Sequence, residues 1–267
     1  MLSSHRGKPK GYTDQMNDMD RDRSVGAPEA AVSNDPKETK ASASDQLPRG
    51  LRWRLSAPLT GGSRRTRFAL FMHWLTPRST DRLLDVGVTD TDWRSSNFLE
   101  AGYPWPEQIT AISLEPMPTF ERLFPSVRVV VGDGRRLPFE SNSFDIGFSN
   151  AVIEHVGSRS DQRRFVGELM RTCRHVFVAT PNAAFPIDPH TLLPFVHWLP
   201  RRLRDRVLCL VGQERWAGES NLNPLRASEL AGLFPAETRV QIVRQRVLGL
   251  TTVIIAVAEP NDRPKTE

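Results

Sequence analysis

Three acidic residues close three apolar, strand-like runs of the sequence. Asp85 lies in RLLDV (82–86), Glu115 ends QITAISLE (108–115), and Asp133 ends VRVVVGD (127–133). In a sheet of parallel strands, ligands bind beyond the carboxyl ends of the strands, so these acids are expected at one edge. Glu115 can accept the hydroxyls of a ribose, Asp133 can accept the amino group of an adenine, and Gly134 leaves room for the ring. The series predicts a pocket for an adenosine.

The loop after the first strand contains a single glycine, Gly87, which lets the backbone approach a cofactor. The fingerprint G-x-G-x-x-G and the P-loop signature are both absent, so a pyrophosphate lacks its usual glycine-rich cradle. This argues against a nicotinamide dinucleotide and against ATP, and favours an adenosine without phosphates.

The elements that position these residues alternate between strand-like and helix-like patterns from residue 82 to residue 182, which predicts a parallel sheet covered by helices on both faces. Residues 64–75 form an amphipathic pattern that predicts a further covering helix. The runs 240–249 and 250–260 follow each other with no helix between them, which predicts an antiparallel hairpin. Residues 183–226, rich in Pro, His, Trp and Arg, interrupt the alternation and are predicted to form a cap.

The composition limits the function classes. Residues 1–50 of the 267-residue chain are too polar to bury a core and are predicted to be a disordered tail, which leaves 51–267 as one domain. Arginines are scattered among acids, so no nucleic-acid partner is expected. The chain has two cysteines and no apolar run near the roughly 20 residues that span a bilayer, and its polar first residues predict no secretory signal. We therefore expect a cytoplasmic protein without a disulfide framework or thiolate zinc cluster.

These residues resemble a known family. The series Asp85-Val86-Gly87, Glu115, GDGRRLPF (132–139) and SFDIGFSNAVIEHV (143–156) is similar to the class I S-adenosylmethionine-dependent methyltransferases, within the group that holds the ubiquinone and menaquinone enzymes. The resemblance implies a Rossmann-like, doubly wound α/β sheet of seven strands, the last antiparallel, with the cap inserted between strands five and six. It implies S-adenosylmethionine as cofactor and no metal. The cofactor-binding residues that it implies are Asp85, Gly87, Thr89, Glu115, Asp133, Gly134, Asn150 and Glu154.

The first loop departs from the family pattern, because Thr89 and Thr91 stand where glycines are usual. The hydroxyl of Thr89 can serve the methionine carboxylate or the ribose. The stretches 180–200 and 221–225 look like a methyltransferase subset of cell-surface glycan and glycolipid biosynthesis. The favoured reaction is therefore O-methylation of a saccharide or glycolipid precursor. Two alternatives stay open: methylation of a quinone-type or other small aromatic molecule, and a cofactor-binding pseudoenzyme that partners another methyltransferase.

A hydroxyl acceptor needs a base, and histidine titrates near neutrality. His155 follows the fourth strand and His190 lies on the cap, so both are candidate bases, with Glu154 available to the cofactor or to a base. His197 is assigned to packing. Residues 200–212 form an amphipathic helix that either caps the core or contacts a membrane or a lipid-linked substrate.

Overall fold

The computed structural model describes residues 64–92 and 94–261, so the predicted tail, residues 1–50, lies outside the described residues. The helices are α1 (64–75), α2 (Phe98–Gly102), α3 (Pro118–Leu123), α4 (Arg159–Thr172), α5 (Arg201–Leu210) and α6 (Ala227–Ala231). The strands are β1 (Leu83–Val86), β2 (Ile109–Ser113), β3 (Arg128–Val131), β4 (Phe144–Asn150), β5 (Cys173–Pro181), β6 (Thr238–Val247) and β7 (Leu250–Pro260). Short 3₁₀ turns cover Arg94–Asn97, Pro106–Gln108, Ile153–His155, Val196–Trp198 and Glu214–Trp216.

The seven strands form one sheet in the order β3-β2-β1-β4-β5-β7-β6. Strands β1 to β5 pair in parallel, with Asp85 opposite Ala111 on one side and Phe148 on the other. Strand β7 runs antiparallel to both of its neighbours, β5 and β6. The seven-stranded Rossmann-like sheet with an antiparallel last strand is thus confirmed. Its order reverses between β1 and β4, and this switch point is where such sheets bind ligands.

Helices cover both faces of the sheet. Neighbouring residues of a strand point to opposite faces, so each strand packs against both layers of helices. Leu84 of β1 packs with Phe165 and Leu169 of α4 on one face. Leu83 packs on the other face with Phe71 of α1. All four residues of β1 are buried, which explains why this central strand is apolar apart from Asp85.

The terminal hairpin turns at Leu248 and Gly249, which have φ values of 50° and 82°. A two-residue turn with positive φ at both positions matches the twist of antiparallel strands. The predicted hairpin is therefore present, and its turn explains the glycine between the two runs.

The cap leaves the sheet after β5 and returns before α6. Asn182 and Leu225 form an isolated bridge, and the amide of Ala183 donates to the carbonyl of Leu225 at 2.9 Å, so the two ends of the cap meet. Within the cap, Leu208 of α5 is fully buried, whereas Leu203 is 46% exposed and Leu210 is 85% exposed. Only part of the apolar surface of this helix is therefore buried. No helix of the described residues is long and apolar enough to cross a membrane.

The segment between β1 and β2 changes helix type within a few residues. Residues 94–97 form a 3₁₀ turn, and only Phe98–Gly102 is α-helical. Asn97 explains the break, since its side chain bonds to the preceding loop rather than to the helix, as described below.

Candidate functional site

A cavity of about 570 Å³ opens at the carboxyl ends of β1 and β2 and is bounded by the segments that follow β3 and β4. Its apolar lining includes Val86, Ile112 and Phe165. Three of the predicted site residues also line it: Asp133, Gly134 and His155. Its volume lies within the usual range for small-molecule sites.

The turn after β3 is shaped for close approach. A Cβ placed on Gly134 would lie 2.6 Å from Cε2 of Phe165 and 2.9 Å from Cγ1 of Val86, so a side chain has no room there. Asp133 forms an ion pair with Arg135 at 2.7 Å, and the hydrogen bonds from Arg135 lower the pKa of Asp133. Asp133 is therefore ionised at neutral pH and offers acceptor oxygens at the cavity.

Glu115 lies two residues beyond the end of β2 and is exposed. Its neighbours Ser113 and Leu114 line the larger cavity, but the Glu115 side chain does not. The structure therefore places this carboxylate outside the cavity, beside residues that line it.

A second cavity, of about 220 Å³, brings together Asp85, Gly87, Thr89 and Asn150. It also contains Glu100 of α2, which the sequence reasoning missed. Both carboxyls are buried, and neither oxygen of Glu100 has a hydrogen-bond partner among the described residues. Burial raises the pKa of Glu100, and burial together with Glu100 raises that of Asp85. In the sequence, Glu100 could have been noticed as an acidic residue within the otherwise apolar run FLEA (98–101).

The loop after β1 is held by packing and by one asparagine. Gly87 has a φ of +104°, and a Cβ there would lie 2.1 Å from Cγ2 of Val152. The side chain of Asn97 accepts from the amide and hydroxyl of Thr89 at 3.0 and 3.1 Å and donates to its carbonyl at 2.8 Å. The Thr89 hydroxyl therefore donates to Asn97, and this threonine closes the loop in place of a glycine turn.

Arg67 of α1 is a buried cation that the sequence reasoning also missed. Its guanidinium donates to the side chains of Asn150 and, at 3.3 Å, Gln245. Burial and the nearby charge of Arg64 lower the pKa of Arg67 to about 10, against an opposing effect of Glu154. Arg67 therefore stays charged at neutral pH and links α1 to the end of β4.

The structure brings the two predicted histidines together. Nε2 of His155, after β4, lies 3.1 Å from Nε2 of His190 on the cap. Oε1 of Glu154 lies 4.0 Å from the first nitrogen and 3.8 Å from the second. Glu154 is 1% exposed, and its other oxygen accepts from the Thr180 hydroxyl at 2.8 Å. We call Glu154, His155 and His190 the Glu–His–His cluster.

The far side of each imidazole ring faces an oxygen. Nδ1 of His155 lies 2.8 Å from the carbonyl of Asn221, and Nδ1 of His190 lies 3.5 Å from Oδ1 of Asp188. Burial opposes a charge on His190, but Asp188 and Glu154 outweigh it and raise the pKa of His190. Burial of Asp188 is likewise outweighed, by bonds from His190 and from backbone amides, and its pKa is lowered.

Two aromatic contacts complete the surroundings of the cluster. The ring of Trp216 lies 5.8 Å from that of His155 and 5.1 Å from that of His190.

His197 is buried and its Nε2 lies 2.7 Å from the carbonyl of Phe185. This position suits the packing role that the sequence predicts for His197.

Comparisons with known proteins bear on this geometry. Residues 84–176 match the family model described as "Methyltransferase domain". No curated protein sequence matches the chain.

The chain is also similar to several solved structures. A chain of the Haloferax volcanii complex between the Trm112 methyltransferase activator and a methyltransferase is 10% identical, with a TM-score of 0.50, over 83% of this chain and 99% of that one. The Burkholderia thailandensis 1,6-didemethyltoxoflavin-N1-methyltransferase, bound to S-adenosylhomocysteine, is 16% identical, with a TM-score of 0.49, over 85% and 94%. The PH0226 protein of Pyrococcus horikoshii is 14% identical, with a TM-score of 0.49, over 82% and 94%. The matched residues run from β1 into β5, so this part of the chain is similar to a methyltransferase domain.

Proposed function

We propose that this protein transfers a methyl group to a hydroxyl oxygen of a saccharide or glycolipid precursor. The observation that carries the proposal is the Glu–His–His cluster at the edge of the larger cavity, since His155 belongs to both. A hydroxyl is a weak nucleophile until it loses its proton, and a cluster of nitrogen and carboxylate groups lowers the free energy of removing that proton. An acceptor that is already acidic has no need of one.

The residues of the larger cavity suit the donor. Val86, Ile112 and Phe165 offer apolar walls for an adenine, and Gly134 lets the turn after β3 pack directly against Phe165 and Val86. Asp133 is ionised and can accept from an amino group. S-adenosylmethionine supplies a methyl group on a positively charged sulfonium, and that charge is lost when the methyl leaves.

The acceptor is proposed to lie between the cap and the cluster. Trp216 offers a ring face beside the two histidines, and such a face packs against the C–H side of a sugar while polar groups bind its hydroxyls. In the reaction, the acceptor oxygen forms a bond to the methyl carbon as the bond from carbon to sulfur breaks with both electrons moving to sulfur. The hydroxyl proton leaves at the cluster. Most of the rate enhancement then comes from holding oxygen and carbon in line.

The donor half of the proposal is tested by calorimetry with S-adenosylmethionine and S-adenosylhomocysteine. We propose that Glu115, which follows the cavity-lining residue Leu114, accepts the ribose hydroxyls of the donor at the rim of the cavity. Glu115→Gln should then weaken binding by roughly 10- to 150-fold, since a hydrogen bond to a charged acceptor contributes about 1.5–3 kcal/mol. Glu121→Gln, an exposed acid on α3, is the matched control and should bind like the wild type. Equal affinities in all three proteins would remove Glu115 from the donor site.

The acceptor half is tested by incubating the protein with labelled methyl donor and a cell extract, which is then separated into lipid, glycan, small-molecule and protein fractions. Label in the glycan or lipid fraction is expected. Label in a small aromatic product would replace the acceptor class. Saturable donor binding with no label in any fraction would favour a cofactor-binding partner of another methyltransferase.

A further inference from the structure

Three acceptor atoms of the Glu–His–His cluster converge on one point. Nε2 of His155, Nε2 of His190 and Oε1 of Glu154 are separated by 3.1, 3.8 and 4.0 Å. A triangle with these sides has a central point about 2.1 Å from each corner. Bonds from zinc to imidazole nitrogen and to carboxylate oxygen fall at about 2.0–2.2 Å.

The orientation of the rings leaves lone pairs facing each other. A carbonyl only accepts, so the contact of Asn221 with Nδ1 of His155 places a proton on that nitrogen. Asp188 favours the same tautomer in His190, because its carboxylate faces Nδ1. In the two neutral rings, both Nε2 atoms then carry lone pairs, and they face each other and a carboxylate oxygen. Such an arrangement is unfavourable unless a cation or a proton lies between the groups.

A proton shared between the two imidazole rings would satisfy only two of the three acceptor atoms. It would join the two Nε2 atoms, which are 3.1 Å apart, but would leave Oε1 of Glu154 at 3.8 and 4.0 Å from them. That oxygen is buried and has no hydrogen-bond partner among the described residues. A cation at the central point would contact all three atoms at bonding distance.

We propose that Glu154, His155 and His190 bind a first-row divalent transition-metal cation of the Zn²⁺ class. Two imidazoles and one carboxylate are a ligand set that such cations take in catalytic sites, with positions left for an outside oxygen. The oxygens behind the rings have the role of outer-shell partners, which fix the tautomer and orient the ligand. Asp188 serves His190 in this way and the Asn221 carbonyl serves His155.

This inference deepens the proposed function and rests on it only for the use of the metal. A bound divalent cation can take the acceptor oxygen as a ligand and lower the pKa of its hydroxyl, as it does for water. The proton would then leave to solvent, and the acceptor oxygen would form its bond to the methyl carbon as the carbon–sulfur bond breaks with its electron pair going to sulfur. His155 and His190 act as ligands here, in place of the base role predicted from the sequence.

Metal binding is measured on the full chain after treatment with a chelator and without methyl donor. Calorimetry with Zn²⁺, and visible absorption with Co²⁺, should show a single high-affinity site per chain. Glu154→Gln and His190→Gln should each lose that site. His73→Gln, at an exposed histidine on α1, is the matched control and should retain it. Circular dichroism of the metal-free variants shows whether they fold.

A gentler change protects the test against misfolding. Asp188→Asn keeps an oxygen for the backbone amides of His190 and Thr191 but removes the charge behind the His190 ring. Loss of an outer-shell partner weakens metal binding by about 10- to 100-fold. The inference is overturned if the wild type has no high-affinity site, or if His190→Gln and Asp188→Asn bind like His73→Gln.

The two proposals fail in different ways. Donor binding by metal-free protein, with no high-affinity metal site, overturns the metal site and leaves the methyl-transfer proposal standing. A metal site that the cluster variants abolish, in a protein that labels no acceptor, upholds the site and overturns the proposed function.

Discussion

Substituting Gly87 by alanine should destabilise the fold because of two separable costs. Gly87 adopts a φ of +104°, and its added Cβ would lie 2.1 Å from Cγ2 and 3.2 Å from two further atoms of Val152. A side chain at positive φ costs about 1–2 kcal/mol, and forcing an extra carbon into a packed site costs about 1–3 kcal/mol. The free energy of unfolding should therefore fall by about 2–5 kcal/mol.

A second glycine separates the two costs. Gly249, in the terminal hairpin, has a φ of +82°, and nothing lies within 4 Å of the position of its Cβ. Gly249→Ala should therefore show the backbone cost alone, about 1–2 kcal/mol. Urea denaturation of both variants, with cofactor absent, gives the free energies to compare.

A double substitution tests the named contact. Val152→Ala removes Cγ2, the atom nearest to the added Cβ, so it should recover part of the stability that Gly87→Ala loses. The double variant should be more stable than the sum of the two single effects, since the residues are in contact. The reasoning is refuted if Gly87→Ala loses no more than Gly249→Ala, or if the two changes are additive.

Three further predictions follow from buried groups and helix geometry. Burial raises the pKa of Glu100, so its proton leaves the unfolded chain first as the pH rises, and wild-type stability should fall from the ordinary carboxyl pKa towards the raised folded value. Glu100→Gln, facing Asp85, should lessen this fall in thermal unfolding measured across pH, whereas parallel curves would contradict the pKa shift. Burial raises the pKa of Cys173 to about 12, whereas Cys209 is exposed. A thiol reagent should therefore label one cysteine in the native protein and two in urea. Rapid labelling of both cysteines in the native protein would show that Cys173 is accessible. Gly167 lies within α4 with nothing within 4 Å of its Cβ position, so Gly167→Ala should stabilise the protein by about 0.5–1 kcal/mol in urea denaturation, and a loss of stability would show an unseen contact there.

The sheet could be predicted because its signals are local. Each of β1 to β5 contains a short apolar stretch, and helices follow β1, β2 and β4, so the alternation itself indicates a parallel sheet. The turn at Gly249 separates two runs that have no room for a helix between them. The cap carries no comparable rhythm, and its path depends on contacts such as the bridge between Asn182 and Leu225, which are 43 residues apart in sequence.

The residues of the candidate site likewise divide into those that local sequence signals predict and those that depend on tertiary packing. Residues at strand ends, such as Asp85 and Asp133, could be predicted because parallel strands end at one edge of a sheet. Glu100 and Arg67 could not, because each reaches the site from a helix whose packing against the sheet sets its direction. His155 and His190 were predicted as separate candidates, and their approach to 3.1 Å follows from the folded path of the cap.

Glu154 contributes one carboxylate oxygen to the Glu–His–His cluster and uses its other polar groups to hold the cap against the sheet. Its side-chain Oε2 accepts from Thr180 at the end of β5, and its backbone carbonyl accepts from the amide of Asn223 where the cap returns. The return segment is held from the other side by Gln162, whose amide donates to the carbonyls of Ile153 and Asn223 at 2.9 and 2.8 Å. The cap therefore carries Asn221, with its carbonyl behind His155, in a fixed relation to the Glu154 carboxylate. Because the fold uses Oε2 and the backbone of Glu154, whereas the cluster uses Oε1, Glu154→Gln is the substitution that can change the chemistry while the cap stays in place.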